Sequence, residues 1–400
     1  MPDIANAVRA PHRITSLDGL RGVAALVVVL NHVLVTSPIL ATVANDTGRA
    51  ADGSLEWWIS YTPVHLLWGG TEAVFIFFIL SGYVLTGPAL RASASWLVYY
   101  PKRLLRLYLP VWGSLVVAGL SALIIVRGPV DGASWWVNAH GPLDIPSALM
   151  SGLLLWKIDF LNNPLWSLMW EMWFSLLLPL YVWIGRWASN RVWRTIALLS
   201  LLAAVMASGS IVDSNALRYL PMFMFGVLMY FYRGEIQDIG ARMGARHAWL
   251  FWVSLVVAVL SLTSYWMAQA HTAVPGLIVS AGRSTQVVGA CLFVLLALTW
   301  PAAQRLLDTR PLNWLGRRSF SLYLTHDAVV ISTVLLLGGN PPWALTLLVV
   351  VPIALLAAEL FFRLVESPSH RFSQMVGGSV QRAVDRRRSR SLTRSSVEAQ

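Results

Sequence analysis

The chain is written as long apolar stretches divided by short polar breaks. From Val23 to Val35 all but two positions are hydrocarbon, and similar stretches recur to the end of the first 363 residues. The apolar residues are continuous rather than every second one, which excludes the period of membrane β-strands. A helix needs about 20 such residues to cross a bilayer. The pattern predicts spans at about 19–38, 64–87, 107–126, 164–185, 194–211, 217–232, 248–269, 283–300, 319–337 and 343–363. The expected fold is all-α and membrane-integral, a polytopic bundle of about 10 transmembrane helices. An even number of spans puts both termini on one side.

Charge assigns that side. Only 12% of the 400 residues are charged, against about 25% in a soluble domain. Of the 30 Lys and Arg, only Arg49, Arg127, Lys157, Arg218 and Arg283 fall opposite the termini. Basic loops stay in the cytoplasm, so both termini are expected there. The net charge of +11 then reflects topology and contact with anionic lipid, not nucleic acid. The first stretch has basic residues ahead of it, as a secretory signal does, but its length and polar groups predict a retained helix. Cys291 is the single cysteine, so neither an intrachain disulfide nor a cysteine metal cluster is possible. Many of the 20 Trp stand near predicted span ends, where the interface favours them. Residues 1–372 form one expected membrane domain, and 373–400 a basic, disordered tail. The longest outer segment, about 127–163, has room only for a short re-entrant or interfacial element.

Polar residues inside the apolar stretches carry the candidate chemistry, because an ionisable group at membrane depth is costly. His32 lies in the first span, with Arg21 eleven residues before it. That spacing puts both within about 20° of one helix face and about 16 Å apart. Asp18 is placed to pair with Arg21. A neutral imidazole can take a proton from a hydroxyl; it can equally just hydrogen-bond a neighbouring helix. Ser81-Gly82 would admit a close helix approach, and Glu72 needs a partner. Arg103 and Arg106 share a face and suit a phosphate, or serve as plain positive anchors. Glu171 sits among Trp166, Trp170 and Trp173, with Ser167 on its face. Rings beside a carboxylate fit a carbohydrate, although Trp also anchors at interfaces. Ser319, Tyr323 and His326 line one face of the ninth span, with Asp327 adjacent and Glu366 closing the tenth.

The order of these blocks is more telling than any one of them. TSLDGLRGVAALVVVLNH, FFILSGYVLTG, RLLRLYLP, NPLWSLMWEMWFSLLLP, SFSLYLTHDAV and a final ES-P follow one another along the chain. This series resembles the integral-membrane acyltransferase 3 family, in its stand-alone form without a C-terminal esterase-like domain. The resemblance implies an O-acyltransferase that takes an acyl group, usually acetyl, from cytoplasmic acyl-coenzyme A. The acceptor it implies is a hydroxyl of a carbohydrate: a surface polysaccharide, a lipid-linked glycan or a glycosylated small molecule. It implies His32, Arg21 and Glu171 as catalytic residues, and Arg103, Arg106, Ser81 and Gly82 as the donor site. Tyr83 follows Gly82 where many relatives have Phe. Trp166, Ser167, Tyr323 and His326 are the candidate acceptor contacts. Acyl-coenzyme A, the acceptor and membrane lipids are the expected partners, with no metal and no nucleic acid. The expected location is the bacterial cytoplasmic (inner) membrane.

A secondary transporter is the rival class, since buried His, Glu and Arg also build proton and substrate pathways. Inverted repeats and broken midplane helices would mark one, and neither is evident in the sequence. A membrane scaffold without chemistry would not need polar groups on several facing spans.

Overall fold

The computed structural model describes residues 14–91, 95–271 and 276–398, without the side chains of 276–282 and 387–398. Arg9 and Arg13, basic residues ahead of the first span, lie outside the described residues. All regular structure among the described residues is helical. The long helices are α1 (Thr15–Leu34), α2 (Gly70–Ala89), α3 (Trp96–Ile124), α4 (Leu165–Ser189) and α5 (Val192–Ile211). They continue with α6 (Asn215–Phe231), α7 (Trp249–Gln269), α8 (Gly276–Thr299), α9 (Arg310–Leu336) and α10 (Trp343–Phe361).

Each predicted span therefore has its helix, but not each helix has the dimensions of a span. Among the described residues, eight helices are long and apolar enough to cross a membrane, or nine if a bent pair counts as one. That pair is Arg283–Thr299 with Pro301–Leu307, bent by 88°. Pro301 begins the second piece and cannot donate a backbone hydrogen bond to the first. α6 has 17 residues, about 25 Å of helix against a hydrocarbon core of about 30 Å. The protein is a multi-pass membrane protein, an all-α bundle.

α1 and α9 set the position of everything that follows. They cross where Gly22 meets Gly316: a Cβ on Gly22 would stand 2.6 Å from the Gly316 nitrogen, and one on Gly316 would collide with the Asp18 carbonyl oxygen. Such contacts need glycine on both helices. Ten residues beyond Gly22 is His32, and ten beyond Gly316 is His326. Since the two helices run parallel from this crossing, each rising about 15 Å over ten residues, the two histidines arrive at the same height. α2 and α6 are joined in the same way, with Gly82 on the Phe223 carbonyl and Gly226 on that of Ile79.

Glu72, the embedded carboxylate of α2, is 2% exposed and fully partnered. It accepts hydrogen bonds from Trp266 Nε1 at 2.8 Å and Gln286 Nε2 at 2.7 Å, with His65 Nε2 at 3.8 Å.

The segment from 373 onward is helical through Glu398, where its composition predicts disorder. It continues α10 through a π-helical turn, Phe362–Glu366, and packs against α3. A Cβ on Gly377 would lie 3.3 Å from the Lys102 side chain. The contact with α3 offsets the poor intrinsic preference of the Ser- and Gly-containing stretch.

Candidate functional site

Two polar groups face each other inside the bundle. The first surrounds a cavity of about 190 Å³. Arg21 from α1, Ser81 from α2, Arg103 and Arg106 from α3, Ser167 and Glu171 from α4 and Tyr323 from α9 all line it. Phe77, Phe78, Leu107 and Leu168 supply apolar wall. The cavity thus collects most of the residues that the sequence singles out, from five helices.

Their roles within it differ. Arg103 Nη2 donates to Glu171 Oε1 at 2.5 Å, and Arg103 Nε donates to Ser175 Oγ at 3.0 Å. Ser81 Oγ donates to the same Glu171 oxygen at 3.2 Å. Arg103 is thereby committed to holding Glu171, and among the described residues Glu171 makes no hydrogen bond or ion pair with a histidine. Arg21 pairs loosely with Asp18, at 3.8 Å, as the helical spacing predicts. Arg106 makes no hydrogen bond or ion pair with protein among the described residues and stays exposed to the cavity. A guanidinium with open donors is suited to a phosphate.

At the inner end, Tyr323 Oη and Ser167 Oγ are hydrogen-bonded at 2.6 Å, and Tyr323 Oη also donates to the Pro164 carbonyl at 3.1 Å. The Tyr323 ring also lies beside His326, with ring centroids 5.8 Å apart. Tyr323 is therefore the side chain shared by the cavity and the second polar group.

That second group is His32, His326, Asp327 and His140, all buried. His326 Nδ1 lies 3.0 Å from the Leu322 carbonyl oxygen and Nε2 lies 2.9 Å from His32 Nδ1. A carbonyl oxygen only accepts, so Nδ1 of a neutral His326 carries its proton. Nε2 then accepts, and His32 donates to it from Nδ1. That leaves Nε2 of His32 without a proton, the state required of a general base. Asp327 Oδ1 lies 3.5 Å from His32 Nδ1. The Trp136 ring covers His32 at 5.0 Å between centroids.

Several expected contacts are relocated by this geometry. Gly82 does not line the cavity: it lies on α2's other face, where its lack of a Cβ lets α6 approach. Trp166 does not line it either, since its ring packs against Tyr219 at 5.3 Å. His326 does not line the cavity and is bonded to His32, so it faces that histidine rather than open space. His32 sits in the last turn of α1, nearer the helix end than its middle. His140 was not singled out from the sequence. It belongs to the 127–163 segment, whose short helices Trp135–Asn138 and Ile145–Gly152 are the kind of small element expected there.

Comparison with known proteins bears on this arrangement. A family model described as an acyltransferase domain, acyltransferase 3, matches residues 14–361. A putative peptidoglycan O-acetyltransferase of Bacillus subtilis (strain 168) is 27% identical over 342 residues, 75% of this chain and 50% of that protein. The chain thus spans about half the length of that relative. Nodulation protein 10 of Rhizobium leguminosarum bv. viciae is 25% identical over 326 residues, 74% of this chain and 81% of that one. The acyltransferase MdmB of Streptomyces mycarofaciens is 25% identical over 392 residues, 90% and 92% of the two chains. No solved structure matches.

Proposed function

The chain belongs to the acyltransferase 3 family, and from that premise we propose that it moves an acetyl group from acyl-coenzyme A to a carbohydrate hydroxyl, with His32 as general base. Its enzyme class, a membrane acyltransferase, follows from the family; donor, acceptor and base are the proposal.

The observation that carries it is Tyr323, which stands between a basic cavity and a base-ready histidine. Acyl-coenzyme A joins an anionic nucleotide to a slender arm ending in a thioester. A cavity of about 190 Å³ suits the arm and leaves the nucleotide at the mouth. Arg106 meets its phosphates there, with Arg21 and Arg317 on the same lining. Arg103 and Glu171 hold each other and keep the wall rigid. His32 Nε2 takes the hydroxyl proton as the hydroxyl oxygen attacks the thioester carbonyl. Arg21, about 16 Å from His32 along α1, acts on the donor and not on the reacting carbonyl. No metal is required by this scheme.

The acceptor class is supported by the relative named as a peptidoglycan O-acetyltransferase. The basic end faces the cytoplasm in this reading, where acyl-coenzyme A is made, and the membrane is the bacterial cytoplasmic membrane.

The test is His32→Ala in full-length protein reconstituted into lipid vesicles with labelled acetyl-coenzyme A. Label transfer and thiol release are expected to vanish while folding and acetyl-coenzyme A binding persist. Full activity in this variant overturns the assignment of the base.

A further inference from the structure

Asp327 has no exposure, and a histidine from a distant loop reaches it. The segment between α3 and α4 folds inward through the helix Trp135–Asn138, whose N-terminus Ser134 caps. This carries His140 to α9. His140 Nδ1 lies 2.7 Å from the Trp136 carbonyl oxygen, and Nε2 lies 3.3 Å from Asp327 Oδ2. The carbonyl only accepts, so Nδ1 holds a proton, and a neutral imidazole holds no second one. Nε2 and a carboxylate oxygen would then be two acceptors pressed together. The contact requires one further proton, held between His140 Nε2 and Asp327 Oδ2.

The rest of the surroundings hold the same carboxylate oxygen and leave the other one open. The Asn163 backbone N–H donates to Oδ2 at 3.1 Å. Oδ1 has no hydrogen-bond partner among the described residues and stands 3.5 Å from His32 Nδ1. The charged and titratable groups around Asp327 among the described residues are His32 on α1, His326 and Tyr323 on its own helix, His140 on the loop, and Arg127, which is buried within electrostatic reach.

We propose that Asp327 and His140 are positioning residues for His32: the proton they share pins the carboxylate, so that Oδ1 waits beside the imidazolium formed during transfer. This rests on His32 being the base. In the step itself, the acceptor O–H proton passes to His32 Nε2 as the new O–C bond forms at the thioester carbonyl. The C–S bond breaks, and the departing thiolate takes that proton, restoring neutral His32. The proton between His140 and Asp327 stays where it is. A buried carboxylate orienting a histidine and balancing its transient charge is a known device. Here a second histidine makes the carboxylate itself tolerable in a membrane interior, where an unpaired one is costly.

The test has two parts. In full-length protein carrying ¹⁵N-histidine in lipid nanodiscs, both ring nitrogens of His140 are expected to give proton-bearing signals at neutral pH. One of them is expected to revert in Asp327→Asn. A bare Nε2 in the unmodified protein overturns the shared proton. In parallel, thiol release from acetyl-coenzyme A is measured in vesicles. His140→Phe is expected to lower kcat about 10- to 100-fold, a part of what a general base supplies, with KM for acetyl-coenzyme A unchanged. His140→Gln, whose amide can still donate to Asp327, is expected to recover most of it. Equal losses in both variants, or a change in KM alone, reduce His140 to a packing role and overturn the proposal. His32→Ala separates the two ideas. If it is inactive while His140→Phe is unimpaired, only the positioning role fails. If it is fully active, the base assignment fails, and the nitrogen signals still decide the pairing.

Discussion

His326 Nε2 stands 2.9 Å from His32 Nδ1, although 294 positions separate them in sequence. The contact exists because α1 and α9 cross at Gly22 and Gly316, and each histidine lies ten residues further on. Through this contact His326 selects the tautomer of His32. Replacing His326 by Leu removes the acceptor, so the His32 proton is no longer held on Nδ1. The expected result is a loss in kcat of about 10- to 100-fold with little change in KM for acyl-coenzyme A. His326→Gln, which offers a carbonyl acceptor, is expected to lose less. Steady-state kinetics of the two variants in vesicles checks the order, and equal activity of both with the parent protein refutes it.

The cavity was largely legible in the sequence, and the buried group except for His140. Arg21, Ser81, Arg103, Arg106, Ser167, Glu171 and Tyr323 are polar intrusions in apolar helices, and the energetic cost of such intrusions marks them without any structure. Helical spacing also relates Asp18 to Arg21. Periodicity within one helix, however, does not say which neighbour a face will meet. Gly82 sits next to Ser81 and belongs to a different face, against Phe223. Trp166 shares the polar neighbourhood of Ser167 and turns to Tyr219. His140 lies in a loop where a histidine costs nothing locally, so nothing in its surroundings flags it. Only the fold brings it to Asp327, 187 positions away.

The two arginines that share a helix face are expected to part company on mutation. Arg106 has no hydrogen bond or close ion pair among the described residues and opens onto the cavity, so Arg106→Ala should raise KM for acyl-coenzyme A about tenfold, roughly 1.4 kcal/mol. Its salt dependence should also become shallower. Thermal stability should hardly change. Arg103→Ala strips Glu171 of its charged partner in a largely buried site, and should cost about 1–3 kcal/mol of stability. Adding Glu171→Ala should return much of that stability, because no lone carboxylate remains. Thermal unfolding in detergent and acetyl-coenzyme A titration together check the contrast.

Gly82→Ala tests whether this glycine serves the donor or the fold. The new methyl would collide with the Phe223 carbonyl oxygen and force α2 from α6. Overpacking of this kind costs about 1–3 kcal/mol. Reduced folded yield and a lower unfolding temperature are expected, with KM for acyl-coenzyme A unchanged in the fraction that folds. A selective rise in KM at normal stability would return Gly82 to the donor site.

Tyr323 should set how long an acyl chain the cavity accepts. It closes the inner end through Ser167 and the Pro164 carbonyl, and Phe77 packs on its ring at 5.9 Å between centroids. An acetyl group that reaches this point has little space beyond it. Tyr323→Ala deepens the apolar end by the volume of a phenol ring. Since one methylene in an apolar pocket is worth about 1–3 kcal/mol, the kcat/KM ratio of butyryl- to acetyl-coenzyme A should rise at least about tenfold. Tyr323→Phe keeps the ring and loses only the hydroxyl, so its ratio should stay near that of the parent protein, and Ser167 keeps its hydrogen bond to the Pro164 carbonyl. If both variants keep the parent preference, the acyl chain ends elsewhere, and Tyr323 separates the cavity from the histidines without measuring what passes.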